Sequence, residues 1–199
     1  MRSRDFHLQI AAIVASLGVT WTLGGGAPRV DAGVLVERTL AFVNKKPVLL
    51  SEVLLTKALL QIDDAVALER TIDESLMFDE ASRLLGVSPA EKDPDVALEI
   101  LRGKAAPAFS DAALRRKAAS QILIASYIEL RLRPLVRVED IEVRRLFDEK
   151  ALKDPTAPEF NHVETSIRES LERRALDRKI EEWVASLRQR AEIRRPALR

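Results

Sequence analysis

The sequence predicts a mainly α-helical protein with a small β-sheet formed by an N-terminal hairpin and a C-terminal strand. Three observations support this fold class. Apolar residues recur at helical spacing over most of the chain, two short apolar runs flank turn residues, and an alternating segment follows the last helix. The chain has 199 residues and no cysteine. It is therefore long enough for a substantial core, while disulfides, thiolate metal sites and a cysteine nucleophile are excluded.

Residues 1–32 have the organisation of a secretory signal peptide. Arg2 and Arg4 precede an apolar-leaning stretch, 8–23, and aliphatic or small residues stand before the predicted cleavage point after Ala32. An uncleaved anchor is the alternative, but this stretch is shorter than the roughly 20 residues that span a bilayer. We therefore predict a secreted, periplasmic protein of residues 33–199 without stable membrane insertion.

The charges of the chain are balanced. The whole sequence contains 32 basic and 31 acidic residues, and removal of the predicted signal peptide takes away three basic and two acidic ones. The predicted mature chain then carries 29 of each and has no net charge. This balance gives no general attraction to nucleic acid, and we predict no nucleic-acid partner.

The predicted mature chain begins with a hairpin and a helix. Apolar runs at 40–43 and 48–50 flank the turn residues Asn44–Pro47. Ser51 is the predicted N-cap of the following helix, which has Glu52 in its first turn, where a negative charge is favourable.

Three further helices are predicted in the middle of the sequence. After a break near Asp63, apolar residues recur at helical spacing up to Gly86, a residue typical of the position just past a helix end. A short helix is predicted near 94–103. A long helix should begin at Ser110 and stop before Pro134, because proline disfavours helical geometry in the residue before it.

The last part of the sequence predicts two helices and a strand. One helix should run from about Glu139 to Lys150, and a rigid connector follows at Asp154–Pro158. Ser166–Glu169 has the pattern of a capping box, from which we predict that the last helix begins at Ser166. The alternating segment Ala191–Arg194 predicts a terminal strand. Neither this strand nor the hairpin is stable alone, so we expect both chain ends to join one sheet.

No residue pattern predicts catalysis, a metal site or a cofactor. His162 is the one histidine of the predicted mature chain and stands in a polar stretch without a recognisable nucleophile, so we interpret it as a solvated side chain. One histidine cannot anchor a typical zinc site. The arginines near the C-terminus are interpreted as complementing the dipole of the last helix.

Exposed apolar surface is the remaining candidate for function. Most aromatic side chains are expected in the core, but some should line a groove. The poorly periodic region 96–109 is the expected place for apolar groups without an internal partner. The candidate peptide-binding residues are Phe78, Phe109, Tyr127, Phe147 and Phe160.

Four segments, in the same order, resemble SurA-type periplasmic chaperones. The segment LVERTLAFVNKKPVLLSEV resembles the opening strands and first helix of that family, and ALERTIDESLMFDEASRLLGV is similar to its second helix. LRPLVRVEDIEVRRLFDE resembles the end of the N-terminal domain, and IRESLERRALDRKIEEWVASLRQRAEIR resembles the C-terminal helix and strand. The resemblance implies a SurA/trigger-factor-like peptide-binding helical domain. One departure is the pair Lys45–Lys46, where relatives often have glycine in the turn.

A larger departure concerns the middle of the family's sequence. SurA-type proteins carry one or two parvulin-type prolyl isomerase domains between the two helical parts, whereas this chain has only residues 151–165 there. No folded domain fits in that length. We therefore predict an N-terminal helical part at 33–150, a linker at 151–165, and a C-terminal helix and strand at 166–199.

The resemblance implies an ATP-independent holdase that covers unfolded exported or outer-membrane proteins. Neither an enzymatic activity nor a cofactor is expected. The alternative is an adaptor or structural protein that binds one dedicated periplasmic partner. An isomerase that works without a parvulin domain is a third hypothesis, and we favour it least.

Overall fold

The structure is a computed structural model that describes residues 37–85, 94–104, 109–152 and 159–196. It is mainly helical and has a small three-stranded antiparallel sheet, so the coarse fold class is confirmed. The predicted signal peptide 1–32, the helix-ending Gly86 and the connector Asp154–Pro158 lie outside the described residues.

The chain divides into two compact units. Unit 1 combines the residues up to Ser126 with those from Ser186 onward, and unit 2 comprises Tyr127–Ala185. Both boundaries fall within or directly beside helices. The predicted division into 33–150, 151–165 and 166–199 stays a prediction.

The sheet of unit 1 begins with the predicted hairpin. Strand β1 is Thr39–Val43 and strand β2 is Lys46–Leu49. The turn between them has two residues, Asn44 and Lys45, with φ angles of 48° and 72°. Positive φ at both positions is typical of a type I′ turn, which suits the twist of a hairpin. The loop is thus shorter than the predicted Asn44–Pro47. Proline is tolerated in β2 because this strand lies at the edge of the sheet.

Strand β3, Ile193–Arg194, completes the sheet on the other side of β1. Val43 pairs with Ile193 and Phe42 pairs with Arg194 in antiparallel register. The prediction that both ends of the chain share one sheet is confirmed. The third strand stabilises the hairpin, because an isolated two-stranded ribbon is only marginally stable in water.

The first helix, α1, is Leu50–Leu60, and its predicted N-cap is wrong. Ser51 lies inside the first turn, because its hydroxyl and backbone N–H both donate to the Glu37 carboxylate, at 2.7 and 3.1 Å. These hydrogen bonds lower the pKa of Glu37. The N-cap position is Leu49, whose N–H donates to the Glu52 carboxylate at 3.0 Å.

The second helix, α2, is Asp64–Leu85, and the predicted break before it is confirmed. Gln61 ends α1 in the left-handed conformation. Asp63 then caps α2, because its carboxylate accepts a hydrogen bond from the Val66 N–H at 2.9 Å. An aspartate at this position satisfies one of the free N–H groups of the first turn.

Helix α3, Pro94–Lys104, matches the predicted element, whereas α4, Asp111–Tyr127, begins as predicted but ends well before Pro134. The Ser110 hydroxyl accepts a hydrogen bond from the Ala113 N–H at 3.3 Å, as expected of an N-cap. The two helices share an apolar cluster with α1. Its buried members are Leu55, Leu98, Leu101, Leu114 and Ala118.

This cluster corrects the expectation for region 96–109. Leu98 and Leu101 are fully buried, and Phe109 packs against the same cluster. Their internal partners come from α1 and α4, which the local sequence pattern did not reveal. Val96 is the exception, since 59% of its surface is exposed.

Unit 2 begins where α4 ends. The chain continues through a π-helical turn, Ile128–Leu132, and a short 3-10 turn, Arg133–Leu135. The predicted stop at Pro134 is wrong, because the α-helix already ends at Tyr127 and Arg133, the residue before the proline, has helical φ and ψ angles of −57° and −41°. Helix α5, Asp140–Ala151, follows within one residue of its predicted bounds.

Helix α6, Phe160–Arg190, begins six residues earlier than the capping box predicted. Ser166 is exposed within the helix. The first turn begins after Glu159, whose carbonyl accepts a hydrogen bond from the His162 N–H at 3.0 Å. Val163 and Phe160 extend the apolar stripe of Ile167 by one and two turns, respectively, which accounts for the earlier start. Part of the predicted linker 151–165 is therefore helical.

Candidate functional site

The five predicted peptide-binding residues do not form one site. Phe78 and Phe109 belong to unit 1, and Tyr127, Phe147 and Phe160 belong to unit 2. Tyr127 is buried, and the other four are half-buried.

Two of the five pack against buried residues. Phe109 packs against the apolar cluster of α1, α3 and α4. Tyr127 stacks on Trp183 with a ring-centroid distance of 4.5 Å and an interplanar angle of 10°. Both rings of this pair are more than nine-tenths buried. Stacked pairs of this kind contribute to packing beyond the area that they bury.

Phe147 and Phe160 are brought together in unit 2. Their ring centroids lie 5.2 Å apart with an interplanar angle of 75°, an edge-to-face arrangement. The Arg144 guanidinium lies 4.8 Å from the Phe160 ring centroid and 5.6 Å from the Phe147 centroid. Its Nε is also 3.3 Å from the Asp148 carboxylate. The aromatic pair is therefore covered by one exposed cation.

Exposed apolar side chains are concentrated in the same unit. Among the described residues, the large apolar side chains that are more than half exposed are Val96, Leu130, Leu135, Ile141 and Leu152. All except Val96 belong to unit 2. Large apolar side chains exposed close together are typical of interaction surfaces, whereas scattered ones need no explanation.

Two of these side chains lie at the ends of α5, Ile141 in its first turn and Leu152 directly after its last residue. Ile141 is 72% exposed and Leu152 is 87% exposed. The Leu152 N–H donates to the Asp148 carbonyl at 3.0 Å, so helical geometry extends to this residue. Eleven residues are close to three helical turns, which places Ile141 and Leu152 on one side of α5, about 16 Å apart along its axis.

We call this surface the α5 patch and define it by Ile141, Arg144, Phe147, Leu152 and Phe160. Arg144 is three residues from both Ile141 and Phe147, and side chains at this spacing are neighbours on a helix. The patch thus combines two exposed aliphatic groups, one cation and two half-buried aromatic rings. It can contact an apolar segment of another chain without enclosing it.

Sequence reasoning identified Phe147 and Phe160 but missed Ile141, Arg144 and Leu152. A signal for Ile141 was present, because it lies on the side of α5 opposite to Val143, which is fully buried. The aromatic pair itself could not be predicted, since it depends on a contact between α5 and the unexpected first turn of α6.

Unit 1 contains a small cavity of about 80 Å³ with a mixed polar and apolar lining. Asp79 on its wall is buried and bonded to Lys46 at 2.6 Å, which satisfies that carboxylate. Ligand pockets usually measure about 300–1,000 Å³, so this cavity is too small for a peptide. Its lining residues are Asn44, Leu76, Asp79, Glu80, Arg83, Leu187, Arg190 and Ala191.

A partly buried ion pair connects helices of unit 1. The Lys117 ammonium donates to Glu74 and, at 2.9 Å, to the Thr56 hydroxyl, which lies 3.1 Å from the Thr71 hydroxyl. These groups come from α1, α2 and α4 and satisfy one another. We interpret the arrangement as a structural hydrogen-bond network and not as a catalytic acid–base pair.

A second charged group joins the C-terminal segment to α2. Arg188 donates to the Asp73 carboxylate and, at 3.1 Å, to the Glu69 carboxylate. Burial raises the pKa of Asp73, and the hydrogen bond from Arg188 opposes that shift. Arg195 also pairs with Glu69. Arg188 and Arg195 therefore have specific partners in addition to the predicted role of the C-terminal arginines at the helix end.

His162 lies exposed in the first turn of α6. In the described part of the chain, no three His, Asp or Glu side chains are grouped so that they could hold a metal ion. None of the described helices combines the length and the apolar composition that crossing a membrane requires.

Comparison with known proteins gives no relative. No protein-family model matches the chain, and neither a curated protein nor a solved structure is significantly similar to it. The α5 patch is therefore interpreted from its own chemistry.

Proposed function

We propose that the protein is a periplasmic, ATP-independent holdase that transiently covers apolar segments of unfolded exported or outer-membrane proteins. The SurA/trigger-factor-like character of the fold is part of this proposal. It is supported by the sequence resemblance and by the sheet in which the hairpin and the C-terminal strand pair. Cleavage after Ala32 belongs to the same proposal and is tested by N-terminal sequencing of the secreted protein.

The observation that carries the proposal is the α5 patch. Complete burial of one large aliphatic side chain contributes about 1.5–3 kcal/mol, and association itself has an unfavourable entropy. Contacts with Ile141 and Leu152 therefore support weak binding that depends little on the client's sequence. Weak binding suits a holdase, because it lowers the free concentration of aggregation-prone segments and still releases them.

Arg144 adds a polar element to this surface. Its guanidinium is partly exposed and lies over both aromatic rings. A client carbonyl group can accept a hydrogen bond from it while apolar side chains contact Phe147 and Phe160. Backbone recognition of this kind tolerates many sequences.

The proposal includes no catalytic residue and no cofactor. Between α5 and α6 the chain has only residues 152–159, which is too short for an isomerase domain. Prolyl isomerase activity is therefore not part of the proposed function.

Aggregation assays with several unrelated unfolded proteins test this proposal. The wild-type protein should suppress light scattering at near-stoichiometric ratios, and the double variant Ile141→Ser/Leu152→Ser should lose most of this effect. Both side chains are exposed, so their replacement should leave the free energy of unfolding within about 0.5 kcal/mol of wild type.

Val96→Ser is the matched control, because it removes an exposed apolar group from unit 1. Its aggregation suppression should equal that of wild type. Protection of one protein alone would favour the adaptor that binds a dedicated partner. Full protection by the double variant would contradict the role of the α5 patch.

A further inference from the structure

Unit 2 has a second exposed surface in the connection between α4 and α5. We call it the arginine–leucine connector and define it as residues 130–137, with the sequence LRLRPLVR. It contains the second half of the π-helical turn and the 3-10 turn. Three of its eight residues are arginine and none is acidic, although the chain as a whole has almost balanced charge. The connector is thus locally cationic.

Apolar side chains are exposed between these arginines. Leu130 is 59% exposed and Leu135 is 62% exposed. Arg131 and Arg137 are also exposed. The two leucines are five residues apart in helical turns that rise about 1.5–2.0 Å per residue, so they lie within about 10 Å along the chain axis.

The arginines of the connector differ in whether a carboxylate already binds them. Arg133 binds the Glu129 carboxylate, with one contact of 2.8 Å. The next acids along the chain are Glu139 and Asp140, of which Asp140 is bound to Arg168 at 2.7 Å, and Glu172 of α6 also acts electrostatically on Arg133. Arg131 and Arg137 therefore supply most of the local positive field.

We propose that the arginine–leucine connector is a peripheral binding site for an anionic lipid surface. The arginines would contact lipid phosphates, while Leu130 and Leu135 would enter the boundary between headgroups and acyl chains. Cations interleaved with exposed aliphatic groups match this boundary, where anionic phosphate and hydrocarbon adjoin. The site is distinct from the α5 patch and does not depend on the proposed holdase function.

An anionic bilayer fits the connector better than an acidic peptide does. Both would satisfy the arginines, but an acidic peptide would leave Leu130 and Leu135 in water. A bilayer takes up isolated aliphatic side chains without a complementary pocket. The acidic peptide is therefore the alternative outcome of the experiment.

The sequence contains no cysteine, so a single introduced cysteine can be labelled with a dye that reports the environment of that position alone. The variant Leu135→Cys, labelled with an environment-sensitive dye, is titrated with vesicles of equal parts phosphatidylcholine and phosphatidylglycerol. Its emission should shift to shorter wavelength and increase, and vesicles of phosphatidylcholine alone should have little effect. The matched control is Val96→Cys, since Val96 has similar exposure but lies in unit 1. Its emission should not change.

Charge is tested by adding Arg131→Gln and Arg137→Gln to the Leu135→Cys protein. Each arginine near an anionic surface strengthens binding about fivefold, so the double change should weaken vesicle affinity by about thirtyfold. Arg116→Gln with Arg145→Gln is the control, because both arginines are exposed outside the connector. High salt should weaken binding of the parent protein in the same direction.

Three results would overturn the proposal. An equal response from both labels would show that vesicles bind through another part of the chain, such as the apolar stretch 8–23. An affinity unaffected by the two connector substitutions would remove the role of charge. A response of the label at position 135 to polyglutamate but not to anionic vesicles would identify an acidic polypeptide as the partner.

Discussion

Asn44 and Glu192 exchange two hydrogen bonds that join the hairpin turn to the C-terminal segment. The Asn44 N–H donates to the Glu192 carbonyl at 3.0 Å, and the Glu192 N–H donates to the Asn44 side-chain oxygen at 3.0 Å. The adjoining strand β3 has only two residues, so this pair is a large part of its attachment to the turn. One side chain thus links residues that are 148 positions apart in the sequence.

The first prediction concerns this link. Asn44→Ala should lower the free energy of unfolding by about 1–2 kcal/mol, because it removes a hydrogen bond and places alanine at a positive φ angle. Urea unfolding followed by circular dichroism measures the change. Asn44→Asp is the control, since it retains an acceptor oxygen and tolerates this conformation, and it should lose less stability. Equal losses in both variants would contradict the role of the side-chain hydrogen bond.

The second prediction concerns the other turn residue. Lys45 has a φ angle of 72° and an exposed side chain. Lys45→Gly should stabilise the protein by up to about 1 kcal/mol, because relief of the left-handed strain exceeds the entropy that glycine loses. Thermal and urea unfolding measure this effect. Lys45→Val should destabilise by a similar amount or more, and the reverse order of the two variants would contradict the turn geometry.

The third prediction concerns the pH dependence of Asp73. Burial raises its pKa above the ordinary value of 3.8, despite the hydrogen bond from Arg188. A carboxyl group whose pKa is raised by folding binds protons more tightly in the folded state. Its contribution to stability is therefore complete below about pH 3.8 and declines as the pH rises through the raised pKa.

Comparison with Asp73→Asn isolates this contribution, since asparagine does not titrate. The stability of wild type minus that of the variant should decrease as the pH rises from below 3.8. Urea unfolding at a series of pH values measures this difference. A difference that grows with pH would mean that the attraction of Arg188 outweighs the burial of Asp73.

The elements of unit 1 were predictable where local signals agree. The hairpin was predicted because turn residues separate two apolar runs, and the start of α4 was predicted because Ser110 is a favourable N-cap. The N-cap of α1 was missed because Glu37, a distant residue, binds Ser51. A partner that lies outside the local window cannot be identified from capping preferences.

The candidate site was only partly predictable for a related reason. Aromatic composition identified Phe147 and Phe160, but the same criterion also selected Tyr127, which is buried, and Phe109, which packs against the core of unit 1. Aromatic side chains serve both roles, and only the tertiary contacts distinguish them. The exposed aliphatic residues Ile141 and Leu152 carry more information about the surface, because they have no reason to be apolar within their own helix.

Deletion of residues 188–199 tests most directly whether the two ends of the chain complete unit 1. This change removes β3, the Glu192 contacts with Asn44 and the Arg188 contacts with α2. The melting temperature should fall by more than about 10 °C, because several kcal/mol of stability are lost. An unchanged melting temperature with a single cooperative transition would show that the C-terminal segment is not part of the folded unit.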